Sequence, residues 1–288
     1  MRFVVLGAKG QLGSDLCPLL GTDVIRLTRS ELDLDAPGGA REMLDRHRPD
    51  VVINCAAYNL VDRAQTEPEK AFAVNALAVY RLASACQALG SRFVHFSSDY
   101  VYGAQADRSQ PYREEDAPGP VSVYGASKLA GENLARVGCP SALVIRTCGL
   151  YGLHGSGGKG GNFIETMVRM GREGKAIRVV DDQHCTPSYT IDVASAVIDL
   201  IGRGATGLFH VTNSGSCSWY ELARHAFHTA KMEVSLTPIP SSGYPTPARR
   251  PTYSVLALDG LARAGVATPR SWQAAVEAYL AARELRTP

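Results

Sequence analysis

The sequence predicts an α/β protein, a Rossmann-type doubly wound parallel sheet with a smaller C-terminal substrate-binding lobe. Three observations predict it. Short, wholly apolar runs alternate with longer amphipathic ones as far as residue 150, a glycine turn follows the first run directly, and the alternation then breaks down. Runs at residues 3–6, 24–27, 51–54, 93–96 and 143–145 are β-branched or aromatic and are bounded by Gly, Pro or polar residues, so each reads as a strand. Because they are apolar along their whole length, both faces of the sheet must be covered. The covering elements are the stretches 12–20, 40–48, 69–89 and 124–137, rich in Ala, Leu, Glu and Arg with apolar residues at helical spacing. Residues 1–150 therefore read as a dinucleotide-binding domain. Residues 151–288 read mostly as a substrate-binding lobe, with a segment near 190–200 returning to the sheet. Residues 152–161 form a glycine-rich loop, read as a lid or a plain connection, and residues 238–251 are too rich in proline for helix or central strand.

Composition narrows the function. The 288 residues are 45% hydrophobic and 20% charged, with 30 Lys and Arg against 28 Asp and Glu. That balance excludes a disordered chain and a protein that relies on a broad basic field to hold nucleic acid or an anionic membrane. The first apolar run is far shorter than a membrane span or a signal peptide. Seven scattered cysteines without a C-x-x-C pair read as reduced thiols, and the expected location is cytoplasmic.

The glycine turn, Gly7-Ala-Lys-Gly10-Gln11-Leu12-Gly13, sits between the first strand and the first helix. There glycines let backbone approach a pyrophosphate, whose charge rests on the helix N-terminal N–H groups. Beyond the second strand, Arg29 is placed to pair with the 2′-phosphate of NADPH, and Asp33 and Leu34 to cover the adenine edge. The expected cofactor is NADPH, with NADH the alternative if Arg29 is only a solvated loop residue.

Tyr124 and Lys128 lie at i and i+4, on one face of a helix. A free phenol titrates near 10, and an adjacent ammonium is expected to bring it toward neutral pH, making Tyr124 a proton donor. Ser98 follows the fourth strand, at the carboxyl end where open parallel sheets hold ligands, and is expected to hold a carbonyl oxygen. His225 and His228, three apart, read as packing or surface residues, with no third metal ligand nearby.

Taken together, these motifs resemble the extended short-chain dehydrogenase/reductases, and within them the dTDP-4-dehydrorhamnose reductase family. The matching segments run through nearly the whole chain: G-A-K-G-Q-L-G from Gly7, R-P-D-V-V-I-N-C-A-A-Y from Arg48, S-S-D-Y-V-Y-G from Ser97, P-Y-R-E-E-D from Pro111, Y-G-A-S-K-L-A-G-E from Tyr124, R-T-C-G-L-Y-G from Arg146, S-W-Y-E from Ser218 and R-P-x-x-S from Arg250. The resemblance implies that Gly7, Gly10, Gln11 and Leu12 hold the pyrophosphate and that Ala56, Ala57 and Tyr58 line the cofactor. It further implies that Ser98, Tyr124 and Lys128 are catalytic, with Tyr124 and Lys128 also touching the cofactor. Val61, Asp99 and Tyr100 are implied to face the sugar together with Ser98 and Tyr124, and Arg250 the substrate phosphates. The implied reaction is NAD(P)H-dependent reduction of the C4 ketone of a nucleotide-linked 4-keto-6-deoxy sugar, ending in dTDP-L-rhamnose.

Two departures stand out. Gly149 occupies the place where the family usually has tryptophan, which predicts a missing apolar wall against the sugar. Some family members hold Mg²⁺ through glutamates at a dimer interface; Asp15 matches one such position, but no carboxylate follows Pro187 until Asp192, so no metal is expected. A homodimer is compatible with the resemblance. The rival readings are a nucleotide-sugar epimerase or 4,6-dehydratase, disfavoured because Tyr100 rather than Glu follows Asp99, and a non-catalytic binding subunit like the regulatory subunit of methionine adenosyltransferase.

Overall fold

The structure is a computed structural model and describes residues 1–32, 38–154 and 161–284. Its N-terminal part alternates strand and helix: β1 (Phe3–Leu6), α1 (Gln11–Leu19), β2 (Ile25–Leu27), α2 (Gly39–His47) and β3 (Val51–Asn54). Next come α3 (Val61–Ala64) and one continuous helical stretch made of α4 (Pro68–Phe72), a π turn (Ala73–Leu77) and α5 (Ala78–Leu89). β4 (Arg92–Ser98), α6 (Val123–Gly138) and β5 (Leu143–Thr147) complete this part.

These five strands and a later one, β10 (Gly207–His210), form one sheet in the order β2-β1-β3-β4-β5-β10, with every neighbouring pair parallel. The apolar runs explain it. Val4, Val5, Val51, Val52 and Ile53 lose all contact with water, which requires cover on both faces. One face buries Val5, Ile53, Phe96 and Ile145 against Leu12 and Leu16 of α1 and Val193, Val197 and Leu200 of the later helix α8 (Thr190–Gly202). The other buries Val4, Val52, Phe93 and Val144 against Leu44 of α2, Val79 and Leu82 of α5 and Ala135 of α6. The chain order reverses between β1 and β3, which opens a crevice beyond their carboxyl ends.

After β5 the chain builds a smaller lobe. It holds β6 (Leu150–Tyr151), α7 (Phe163–Arg172), β7 (Ile177–Val180), β8 (His184–Cys185) and β9 (Ser188–Tyr189). Beyond α8 and β10 it adds β11 (Cys217–Ser218), α9 (Trp219–Thr229), β12 (Leu236–Ile239), α10 (Asp259–Arg263) and α11 (Trp272–Glu284). The six short strands pair as three two-stranded ribbons. α7 and α9 each start with a capping box, Asn162 with Glu165 and Ser218 with Glu221. Their apolar faces meet α11 around Tyr151, Tyr189 and Tyr279, whose rings pack at 5.2–5.7 Å. Pro238 does lie in a strand, but in a two-stranded ribbon, where a missing N–H is tolerated.

Among the described residues, one helical stretch, Pro68–Leu89, is long and apolar enough to cross a membrane. Here it lies on the sheet, with its apolar side chains packed against α2 and α6. His225 packs edge-on against Trp272 at 5.1 Å. No group of three or more His, Cys, Asp or Glu side chains is placed to hold a metal among the described residues. Asp15 is buried and accepts a hydrogen bond from Thr190, with His154 Nδ1 at 3.2 Å from its other oxygen.

Candidate active site

Two adjoining clefts, of about 440 and 430 Å³, run along the carboxyl edge of the sheet and share Gly10, Cys55, Ala57 and Asn59. Gly7, Gly10, Arg29, Ala56, Ala57 and Tyr58 line the smaller one. Gln11, Leu12, Val61, Ser98, Asp99, Tyr100, Tyr124 and Lys128 line the larger. Asp33 and Leu34 lie outside the described residues, as does most of the glycine-rich loop.

The glycine turn fits a dinucleotide for steric reasons. Gly7 has φ +72°, and a Cβ there would lie 2.9 Å from the Ala56 backbone nitrogen. A Cβ on Gly13 would collide with the Gly7 carbonyl, so helix and strand approach only because both residues are glycine. Gly10 caps α1 with no side-chain bond, leaving the first N–H groups of the helix open to an anion. Asn75, in the π turn, holds the next wall of the cleft: it accepts from the Tyr58 N–H at 2.9 Å and donates to the Tyr58 carbonyl at 2.9 Å.

Ser98, Tyr124 and Lys128 come together in the larger cleft. Ser122 caps α6 by accepting from the Gly125 N–H, which orients the first turn, and Tyr124 and Lys128 follow one turn apart. The Tyr124 phenol stands beside Ser98, and the Lys128 ammonium donates to the Phe96 carbonyl at 2.6 Å. The expectation that Lys128 lowers the phenol is not met. Burial pushes Tyr124 up to about 12; a negative charge on Asp99 would act in the same direction, and the neighbouring Ser98 opposes both. Burial also pulls Lys128 down to about 8, against the charge of Glu132.

Asp99 is buried at the centre of three donors. It receives Ser98 Oγ at 3.0 Å on Oδ1, and Ser254 Oγ at 2.6 Å and Cys148 Sγ at 3.1 Å on Oδ2. Arg250 is engaged elsewhere: it donates to Asp62 at 2.8 Å and to the Ala248 carbonyl at 2.9 Å, and it does not line the larger cleft.

Sequence reasoning missed several wall residues. Trp219, Phe163, Leu222 and Ile164 close the far end of the larger cleft. The Trp219 ring edge lies 3.5 Å from where a Gly149 Cβ would be, and Phe163 packs on it with centroids 4.9 Å apart. The apolar wall expected to be missing at Gly149 is therefore supplied by Trp219, from a different element. Ser97, Thr147 and Tyr151 also line this cleft, each with a buried hydroxyl that has no protein partner. Ser97 and Thr147 lie within the S-S-D-Y and R-T-C-G segments, which did not single them out.

A parallel sheet with a glycine turn at its switch point, and a Ser-Tyr-Lys set at its carboxyl edge, defines an extended short-chain dehydrogenase/reductase. The family described as RmlD substrate binding domain matches residues 1–285, and the chain belongs to that family. It is 39% identical to the dTDP-4-dehydrorhamnose reductase of Mycolicibacterium smegmatis over 286 residues, covering 98% of this chain and 85% of that one. It is 36% identical to the dTDP-4-keto-6-deoxy-D-glucose reductase of Streptomyces niveus over 280 residues, covering 96% and 95%. The crystal structure of dTDP-4-dehydrorhamnose reductase from Bacillus anthracis in complex with NADP superimposes with a TM-score of 0.91 at 34% identity, covering 98% of this chain and 99% of that one.

Proposed function

We propose that the protein reduces the C4 ketone of a nucleotide-linked 4-keto-6-deoxy sugar, converting dTDP-4-dehydrorhamnose to dTDP-L-rhamnose in the cytoplasm with NADPH as reductant and NADH as a weaker substitute. The observation that carries this is the convergence of Ser98, Tyr124 and Lys128 in a cleft continuous with the glycine turn. In this reading residues 1–150 hold the dinucleotide, with Gly7, Gly10, Gln11 and Leu12 at the pyrophosphate and Arg29 at the 2′-phosphate. Residues 151–288 mostly hold the sugar.

NADPH, when bound, supplies the hydride that reaches the carbonyl carbon. Ser98 holds the carbonyl oxygen by a hydrogen bond, and Tyr124 gives that oxygen its phenolic proton. Lys128, as ammonium, would offset the charge left on Tyr124 and would be the residue to hold a ribose hydroxyl of the cofactor. Val61, Tyr100 and Trp219 shape the apolar side of the sugar site, which sets how the ring presents C4. Elimination or epimerisation finds less support, because Asp99 is the one carboxylate among the residues lining this cleft and it is buried in hydrogen bonds rather than paired with a second acid.

The test is to follow NADPH absorbance after adding dTDP-4-dehydrorhamnose. Turnover is expected, and Tyr124→Phe should lower it by roughly 10²–10⁴-fold with NADPH affinity unchanged. No oxidation with any nucleotide-linked 4-keto sugar would overturn the reading.

A further inference from the structure

If Asp99 is ionised, the hydrogens around Ser98 leave none for a substrate. A serine hydroxyl has one hydrogen to give and two lone pairs to receive with. The Tyr100 N–H, 3.2 Å away, can only donate, so it takes one lone pair. Asp99 Oδ1, 3.0 Å away, would as a carboxylate only accept, and would take the one hydrogen. Ser98 could then meet Tyr124 only as an acceptor. Nothing would remain on Ser98 to hold a ketone oxygen.

The balance closes with one more proton. We propose that Asp99 is a neutral carboxylic acid that donates from Oδ1 to Ser98 and so leaves the Ser98 hydrogen for the ketone oxygen; the inference rests on the reductase reading above. Oδ2 keeps its two donors, Ser254 at 2.6 Å and Cys148 at 3.1 Å, and Ser98 keeps two acceptances and one donation. With substrate present, Ser98 and Tyr124 both donate to the ketone. Asp99 is thus a positioning residue, acting through Ser98.

The surroundings favour the neutral form. Asp99 is 2% exposed and, among the described residues, forms no ion pair. The titratable groups facing it are Tyr100 on its own turn, Tyr124 from α6 and Cys148 after β5, with Cys185 of β8 beyond Cys148. The nearby cations are committed elsewhere, Lys128 to the Phe96 carbonyl and Arg250 to Asp62. A buried carboxylate without a cation tends to take up a proton, and burial pushes this carboxyl up, outweighing the opposing hydrogen bonds from Ser254, Cys148 and Ser98. Neutral Asp99 also removes a negative charge that would otherwise hold the proton on Tyr124.

The test is infrared spectroscopy of the protein with NADP⁺ at pH 7, unlabelled and with ¹³C-aspartate. A protonated-carboxyl stretch that shifts with the label, and is missing in Asp99→Asn, is the expected result. In the kinetic arm, Asp99→Asn is expected to keep kcat within about fivefold, because a carboxamide can donate to Ser98 and accept from Ser254 and Cys148. Asp99→Ala should lose at least ~10²-fold. Absence of the band in labelled wild-type protein, or an Asn variant as impaired as the Ala variant while binding NADPH normally, would overturn the inference. If the Asn variant does not fold, the labelled wild-type spectrum decides alone. That spectrum needs no turnover, so its failure is distinct from failure of the reductase reading, which wild-type NADPH oxidation decides.

Discussion

Lys128 does its work close to the pH at which it loses its charge. Burial brings it down to about 8, so the ammonium is present below that value and is lost as pH rises through it. The kcat/KM for the ketosugar, which reports free-enzyme groups, is accordingly expected to fall on the alkaline side of about pH 8; a pH–rate series checks this. Trp219 acts by contact instead. Removing its ring as Trp219→Ala takes away about 1.4 kcal/mol of stacking against the sugar, which should raise KM for the nucleotide sugar about tenfold. The KM for NADPH should stay the same, because Trp219 does not line the cleft beside Gly7 and Arg29.

The first turn of α6 is positioned by what its glycine lacks. A Cβ on Gly125 would run into the Tyr100 carbonyl, so the helix that carries Tyr124 and Lys128 can lie on the turn after β4 only with glycine there. Gly125→Ala should cost roughly 1–3 kcal/mol in urea unfolding and reduce kcat more than a change of similar cost elsewhere on the helix. The strands and helices of the first 150 residues were legible because each carries its own period and its own punctuation. β10 was not, since four residues, Gly207-Leu-Phe-His210, say little locally and pair with β5 only after a long excursion. The two-residue strands of the lobe are shorter than any period. The same limit applies to the site: the glycine turn, Ser98, Tyr124 and Lys128 announce themselves by spacing, whereas Trp219 read only as a helix start. Its place at the cleft depends on Gly149, 70 residues earlier.

The halves of the molecule are joined through charge as well as packing. Asp62 of α3 reaches Arg250 in the C-terminal segment at 2.8 Å, whereas the two-pronged buried ion pair of Arg146 with Glu132, at 2.8 and 2.6 Å, ties β5 to α6 within the first part. Between the two parts lies a cleft lined by residues of both. NADPH at a hundred times its Kd should stabilise the fold by about 2.7 kcal/mol, visible as a rise in the thermal midpoint, and NADH at the same concentration should give a smaller rise. Equal shifts would count against a role for Arg29 in choosing the cofactor.

The division of the cleft bears on how such a protein diversifies. The groups proposed to handle the proton stand on the sheet edge and α6, while Trp219, proposed to meet the sugar, stands on α9, whose neighbours are other lobe elements. Changes in α7 and α9 can therefore retune which hexose is admitted while the reducing machinery stays as it is, so swapping those two helices between relatives offers a direct route to new sugar preferences.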